Sequence, residues 1–195
     1  VIFDALDFIC KIQGDCESAS QKLTKYMKEH RNDEDLNLRI ARVPLAICFA
    51  SLGKKQKASN QLNWAKEEYD EGAKGMRAYG RAWIEMKDNS WTQAIQELHL
   101  AFDYAQRSVR PYDLGYILFY IGYCYERLDR IAMAAQFYKR SFLVYQKIQL
   151  ARPTMRSLKR FLDIVDNSKL RQSLLTLEGR QSVDTMELIY RDPPF

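Results

Sequence analysis

Apolar and small side chains return along this chain on the three-to-four-residue beat of an α-helix, and the beat itself recurs at a longer period. Four segments align: Gly14-Asp-Cys-Glu-Ser-Ala19, Gly53-Lys-Lys-Gln-Lys-Ala58, Asn89-Ser-Trp-Thr-Gln-Ala94 and Asp129-Arg-Ile-Ala-Met-Ala134. Each sets an alanine five positions after a turn residue, and the alanines are separated by 39, 36 and 40 positions. Gly, Asn and Asp are the residue types that most readily take positive φ, as a tight reversal between helices demands. Four positions after each alanine stands a large side chain, Leu23, Leu62, Leu98 or Tyr138, and seven positions after it Tyr26, Ala65, Ala101 or Ser141. These offsets place all three on one helical face.

Twelve positions before the alanine lie Ala46, Ala82 and Gly122, small enough for the first helix of a pair to approach the second closely. The first unit has Asp7 there, a departure expected of an incomplete or capping unit. The pattern predicts first helices over 2–12, 35–51, 73–87 and 112–128, and second helices over 15–30, 54–71, 91–107 and 131–149. Pro111 and Pro153 fall where a helix can begin. Pro44 falls inside a predicted helix, so a kink there, or a helix starting near Val43, is expected. After the repeats, Met155, Leu158, Phe161, Leu162 and Val165 recur at helical spacing and predict a helix laid on the last pair. A shorter helix is predicted over Ser168–Glu178, stopped by Gly179.

Paired helices with a small residue in the first, a turn, and an alanine with a further small residue in the second resemble the tetratricopeptide repeat (TPR). The unit Tyr120-Ile-Gly-Tyr-Cys-Tyr-Glu-Arg-Leu-Asp-Arg-Ile-Ala-Met-Ala-Ala-Gln-Phe-Tyr-Lys-Arg-Ser-Phe142 follows that family's pattern almost throughout. Ala82–Phe102 is a good match and Ala46–Ala65 a fair one. The long period is similar to the longer-helix subclass found in kinesin light chains, cell-polarity adaptors and bacterial peptide-sensing regulators. The resemblance implies an all-α, right-handed α-solenoid of antiparallel helix pairs. It implies one helical-repeat domain over 1–195, with units near 1–30, 35–71, 73–107 and 112–149 and a C-terminal cap and tail over 153–195.

It also implies a concave groove lined by the first helices of successive pairs. Mapped onto this chain, that face carries Ile40, Val43 and Ile47, then Met76, Tyr79, Trp83 and Met86, then Tyr116, Phe119, Tyr123 and Glu126. Members that clamp a terminal carboxylate carry lysines and asparagines on this face, and these eleven positions hold no Lys, Arg or Asn. The expected function is therefore an adaptor or scaffold that seats a peptide or amphipathic helix of a partner protein on an apolar face, with Trp83 and Tyr123 the foremost anchors. Two alternatives share the fold: the peptide-sensing repeat domain of a bacterial transcriptional regulator, and a secretion-type chaperone for a hydrophobic cargo segment.

Composition limits the chemistry. Charged residues make up 28% of the 195 positions and hydrophobic ones 47%, with only 8 Gly and 5 Pro to break helices. A membrane span needs about 18–20 consecutive apolar residues, and no stretch approaches this. The four cysteines, Cys10, Cys16, Cys48 and Cys124, are scattered without metal-ligand or disulfide-framework spacing. A reducing, cytoplasmic setting is the simplest expectation, with no metal and no cofactor. Cys48 and Cys124 each follow a small position by two residues, which predicts equivalent core sites. His30 and His99 are the only histidines; the first ends a predicted helix and the second falls on a predicted outward face. No Gly-rich phosphate loop, nucleophile elbow or metalloprotease motif is present, so no enzyme is expected. The net charge of +5 gathers between Lys139 and Arg171, and Arg152, Arg156, Lys159 and Arg160 stand as a second, basic contact for an acidic partner. Nucleic acid is not expected, because base-stacking aromatics do not interleave with these cations.

Overall fold

The structure, a computed structural model, describes residues 15–29, 36–63, 71–107, 111–149 and 151–165. All the regular structure among them is helical: α1 (Cys16–Glu29), α2 (Leu36–Ser51), α3 (Lys55–Leu62), α4 (Glu71–Lys87), α5 (Trp91–Arg107), α6 (Pro111–Arg127), α7 (Ile131–Lys147) and α8 (Ala151–Val165). The predicted helices over 2–12 and 168–178 lie outside the described residues, as do Gly14, His30 and Ala65. Two compact units, residues 1–101 and 102–195, divide the chain within α5.

The turns explain the repeat. Gly53, Asn89 and Asp129 take φ of 71°, 59° and 58°, each two residues past the end of a helix. At Gly53, the Lys54 amide donates to the Phe49 carbonyl at 2.8 Å and the Gly53 amide to that of Ala50 at 3.0 Å. Asn89 and Asp129 stand in the same paired bonds, Ser90 to Glu85 with Asn89 to Met86, and Arg130 to Tyr125 with Asp129 to Glu126. These are Schellman ends, which satisfy two carbonyls that a helix terminus otherwise leaves bare. The residue after the left-handed one then accepts the first bond of the next helix: Lys54, Ser90 and Arg130 receive the amides of Ala58, Ala94 and Ala134 at 3.0, 2.9 and 3.0 Å. The five-residue offset is thus the length of one reversal plus one helical turn. Gln149, at φ 57°, makes the same left-handed exit from α7, although its residue type gave no turn signal. At the other end of the described chain, Asp15 caps α1 by accepting the Ser18 amide at 3.0 Å.

In the first unit, α2 packs on two sides. Its Ala41, Leu45 and Cys48 meet Cys16, Ala19 and Leu23 of α1, and its Val43, Ala46, Ile47 and Ala50 meet Ala58 and Leu62 of α3 with Ile84 of α4. Pro44 does not start this helix: α2 runs from Leu36 through Pro44, which is buried in its interior. The proline costs one backbone bond, and packing of both faces holds the helix across the gap. Cys48 is also disulfide-bonded, a bond that the scattered cysteine spacing did not predict. Arg81 of α4 donates to Glu97 of α5 at 3.0 Å, and Lys55 pairs with Asp88, joining the start of α3 to the turn after α4.

The second unit is an aromatic sandwich. Between α6 and α7, Tyr116 meets Tyr145 edge-on, Phe119 meets Tyr138 at 5.1 Å, and Tyr125 stacks on Phe137 at 5.5 Å. Gly115 and Gly122 sit under Tyr145 and Tyr138, so their missing side chains set the helix separation. Ser141 of α7 bridges its two neighbours: it donates to the Gly115 carbonyl of α6 at 2.7 Å and lies 2.9 Å from the Ser157 hydroxyl of α8. Phe161, Ile164 and Val165 of α8 pack over Ala135. Pro111 opens α6 and Pro153 lies in the first turn of α8, where neither removes a helical bond.

α8 differs from its predicted orientation. Met155 and Leu162, expected inward, are 62% and 53% exposed, while Ser157 is wholly buried. The small Ser157 lets α8 approach α7 closely, and that choice of face turns Met155 and Leu162 away.

Candidate functional site

In the repeat frame the anchors Ala19, Ala58, Ala94 and Ala134 are all buried, and so are the small positions Ala46, Ala82 and Gly122. The candidate face follows from those small positions. Trp83 and Tyr123 are the residues immediately after Ala82 and Gly122, and Tyr79 and Phe119 precede the same positions by three.

On α4, in the first unit, Met76, Tyr79 and Trp83 are half-buried and form one stripe at helical spacing. They rest on the cluster of Val43, Ala46, Ile47, Ala58, Leu62 and Ile84, so the stripe has a rigid apolar floor. Val43 and Ile47, at 3% and 2% exposure, belong to that floor rather than to a surface, and Met86 is likewise buried, at 6%. The side chain of Ile40 lies outside the described residues.

On α6, in the second unit, Tyr116 and Phe119 are buried and Tyr123 and Glu126 half-buried. The guanidinium of Arg156, from α8, stands 4.3 Å from the Phe119 ring centroid and 5.9 Å from that of Tyr120, within cation–π range. Glu126 accepts the Tyr138 hydroxyl at 2.6 Å and the Arg160 guanidinium at 3.3 Å. Burial holds the Tyr138 phenol well above its ordinary range, with the Glu126 carboxylate adding to the effect. Tyr138 therefore acts only as a donor, and Glu126 is a fastener between α6, α7 and α8.

Two cations of the expected basic contact have partners within the unit. Arg156 and Arg160 spend their guanidinium groups on Phe119 and Glu126, and Arg140 lies 5.9 Å from Phe102 and 5.6 Å from Phe137. Lys159 is exposed, and the side chain of Arg152 lies outside the described residues. A sequence reading of formal charge could not see this, because the aromatic faces that receive Arg156 lie more than 30 positions away in the chain.

The remaining chemistry is sparse. His99 is half-buried rather than on an open face. Cys124 is fully buried, and desolvation pushes its thiol up to about 12. Cys48 is equally buried, in the equivalent place. Among the described residues, no group of three or more His, Cys, Asp and Glu is placed to hold a metal ion, and no helix is long and apolar enough to cross a membrane.

Antiparallel helix pairs, left-handed exits two residues past each helix and buried small residues at matching places define the class: an all-helical repeat fold of the TPR-like kind. Comparison with solved structures agrees. The chain is similar to a crystal structure of nearly identical TPR-like repeats from Podosopora anserina, assigned to a kinesin light chain, at 12% identity and a TM-score of 0.57, covering 97% of this chain and 96% of that one. A variant of the same repeats superposes with a TM-score of 0.57 at 14% identity, covering 95% and 92% of the two chains. At such identity the likeness speaks to fold. No protein-family model matches the sequence, and no curated protein matches it.

Proposed function

We propose that this chain is a non-catalytic protein-interaction scaffold, and that the α4 stripe of Met76, Tyr79 and Trp83 seats an apolar peptide or amphipathic helix of a partner. The observation that carries the proposal is the half-burial of three large side chains on a floor of fully buried ones. Large, rigid side chains held in place lose little freedom when a partner covers them, which is what interface hot spots require. Their spacing, three and four residues apart, suits the complementary spacing of an amphipathic helix. The arginines of α8, already engaged with Phe119 and Glu126, contribute packing rather than the acidic-partner contact that their charge suggests.

The compartment is read from thiol state. A cytoplasmic chain keeps Cys48 reduced, whereas its disulfide is at home in an oxidising compartment.

The test does not require the partner to be identified. Helical peptides are selected from a displayed library against the whole chain, and the selected peptides are then measured against Trp83→Ala and Met76→Ala. An anchor worth about 2 kcal/mol corresponds to roughly 30-fold weaker binding. Selected peptides that bind both variants as tightly as the parent, with melting unchanged, sink the proposal.

A further inference from the structure

α8 shows an apolar stripe that nothing among the described residues covers. Met155 and Leu162 are 62% and 53% exposed, and half-buried Leu158 stands between them on the same face. The helix cannot rotate to hide them. Its other face holds Ser157 against Ser141, Phe161, Ile164 and Val165 over Ala135, and Arg160 on Glu126.

The chain continues for 30 residues past Val165, and the first of them carry a matching pattern. After Asp166-Asn167, residue types suited to a reversal, Ser168–Glu178 sets Leu170, Leu174 and Leu177 at four- and three-residue steps. The stripe of α8 steps by three and then four, the mirror image. We propose that Ser168–Glu178 folds back on α8 as an antiparallel helix, with Leu170 on Leu162, Leu174 on Leu158 and Leu177 on Met155.

One register satisfies all three pairs, since each is symmetric about position 166. The lengths agree: Ser168–Glu178 and Met155–Val165 are each 11 residues, about 16 Å at roughly 1.5 Å per residue. Charges agree as well. Exposed Asp163 falls opposite Lys169 in this register. A second copy of α8 would serve worse, because exposed Lys159 borders the stripe and would meet its own kind. The pairing makes α8 and the segment a further antiparallel pair at the end of the repeats, and it stands independently of the partner proposed for α4.

Methionine oxidation tests it on the whole chain. Met155 is a thioether whose oxidation by dilute peroxide follows its exposure, and mass spectrometry reads each methionine separately. In the parent chain Met155 should oxidise about fivefold or more slowly than in Leu174→Asp, as a closed segment that opens only transiently protects what lies under it. A second measurement fixes the register. Leu162→Cys with Leu170→Cys should form a mapped disulfide, and Leu162→Cys with Leu177→Cys should not. Equal oxidation in parent and Leu174→Asp overturns the proposal. So does protection that appears only as protein concentration rises, which assigns the stripe to a second copy, or a disulfide that forms equally in both double variants.

Discussion

Gly115 is the place where one added methyl group should cost most. A Cβ built there would lie 2.5 Å from Cζ, 2.6 Å from Cε1 and 2.9 Å from Cε2 of Tyr145. Real Cβ atoms do not approach so closely, and Tyr145 has no room to withdraw. It is 1% exposed and set edge-on against Tyr116, and the Gly115 carbonyl is fixed by the Ser141 hydroxyl. Overpacking a close-packed site costs about 1–3 kcal/mol, and the rigid ring points to the upper end. Replacing a helical glycine by alanine returns about 1 kcal/mol of propensity. Gly115→Ala should therefore destabilise the protein by about 2 kcal/mol net. Gly80 is the internal control, because a Cβ there meets only the two methyl ends of Leu62, at 2.9 and 3.2 Å, and Val43 at 3.4 Å. Those flexible ends can shift, so Gly80→Ala should be neutral within about 0.5 kcal/mol. Gly122, tight against Tyr138 at 3.0 Å and the Ala134 carbonyl at 3.1 Å, should fall between the two. Urea unfolding followed by far-UV circular dichroism gives the three midpoints. The decisive addition is Tyr145→Leu, which removes the ring and should erase most of the penalty of Gly115→Ala. A Gly115→Ala protein as stable as the parent, or a penalty that survives loss of the ring, refutes the close-approach account.

Alkaline pH should loosen the second unit. Burial raises the Cys124 thiol from 9.0 to about 12 and lifts the Tyr138 phenol above 10.0, so in the unfolded chain both lose their protons first. The unfolded state then binds fewer protons, and stability present below pH about 9 is lost as pH rises, by about 1.4 kcal/mol per pH unit for each group titrating. Urea midpoints at pH 8, 9.5 and 11 check this, and a flat series contradicts it. Gln149→Gly should stabilise by about 0.5–1 kcal/mol, because Gln149 holds a left-handed φ of 57° that glycine adopts without strain. A lowered urea midpoint in that variant would mean that the Gln149 side chain contributes more than its backbone costs.

The repeat was legible because backbone geometry dictates residue type at few positions, and those positions recur. Gly53, Asn89 and Asp129 must take a left-handed turn, Ala58, Ala94 and Ala134 must pack where the next helix begins, and Ala46, Ala82 and Gly122 must admit a neighbour. Their spacing alone placed α5 at Trp91–Arg107. Where tertiary context outweighed local preference, the sequence was silent or misleading. Gln149 turns without a turn-forming side chain, and α2 passes through Pro44 because both of its faces are packed. In α8 the hydrophobic spacing suggested an inward Met155 and Leu162, but Ser157 and its partner Ser141 chose the face. Spacing also gave no sign of the Cys48 disulfide, since the four cysteines follow no framework pattern.

The positions that packing leaves unspecified are the informative ones for function. Immediately after the small residue of each first helix stand Ile47, Trp83 and Tyr123. Ile47 is 2% exposed and serves the core, while the two aromatic side chains are half-buried. Three positions before the small residue, Val43 and Phe119 are buried but Tyr79 is not. Four positions after it, Ala50 and Met86 fill core space, whereas Glu126 fastens Tyr138 and Arg160. A fold that needed only stability could have kept an aliphatic residue at all of these places, as it does in α2. Departure toward a large, partly exposed aromatic is concentrated in α4, where Tyr79 and Trp83 share a stripe with Met76. In α6 the corresponding surface is taken up by Arg156, Arg160 and Tyr138. Equivalent sites within one chain thus single out α4 as the proposed partner-binding helix: the same register, met by the same small residues, is closed in α2, fastened in α6 and left partly open in α4.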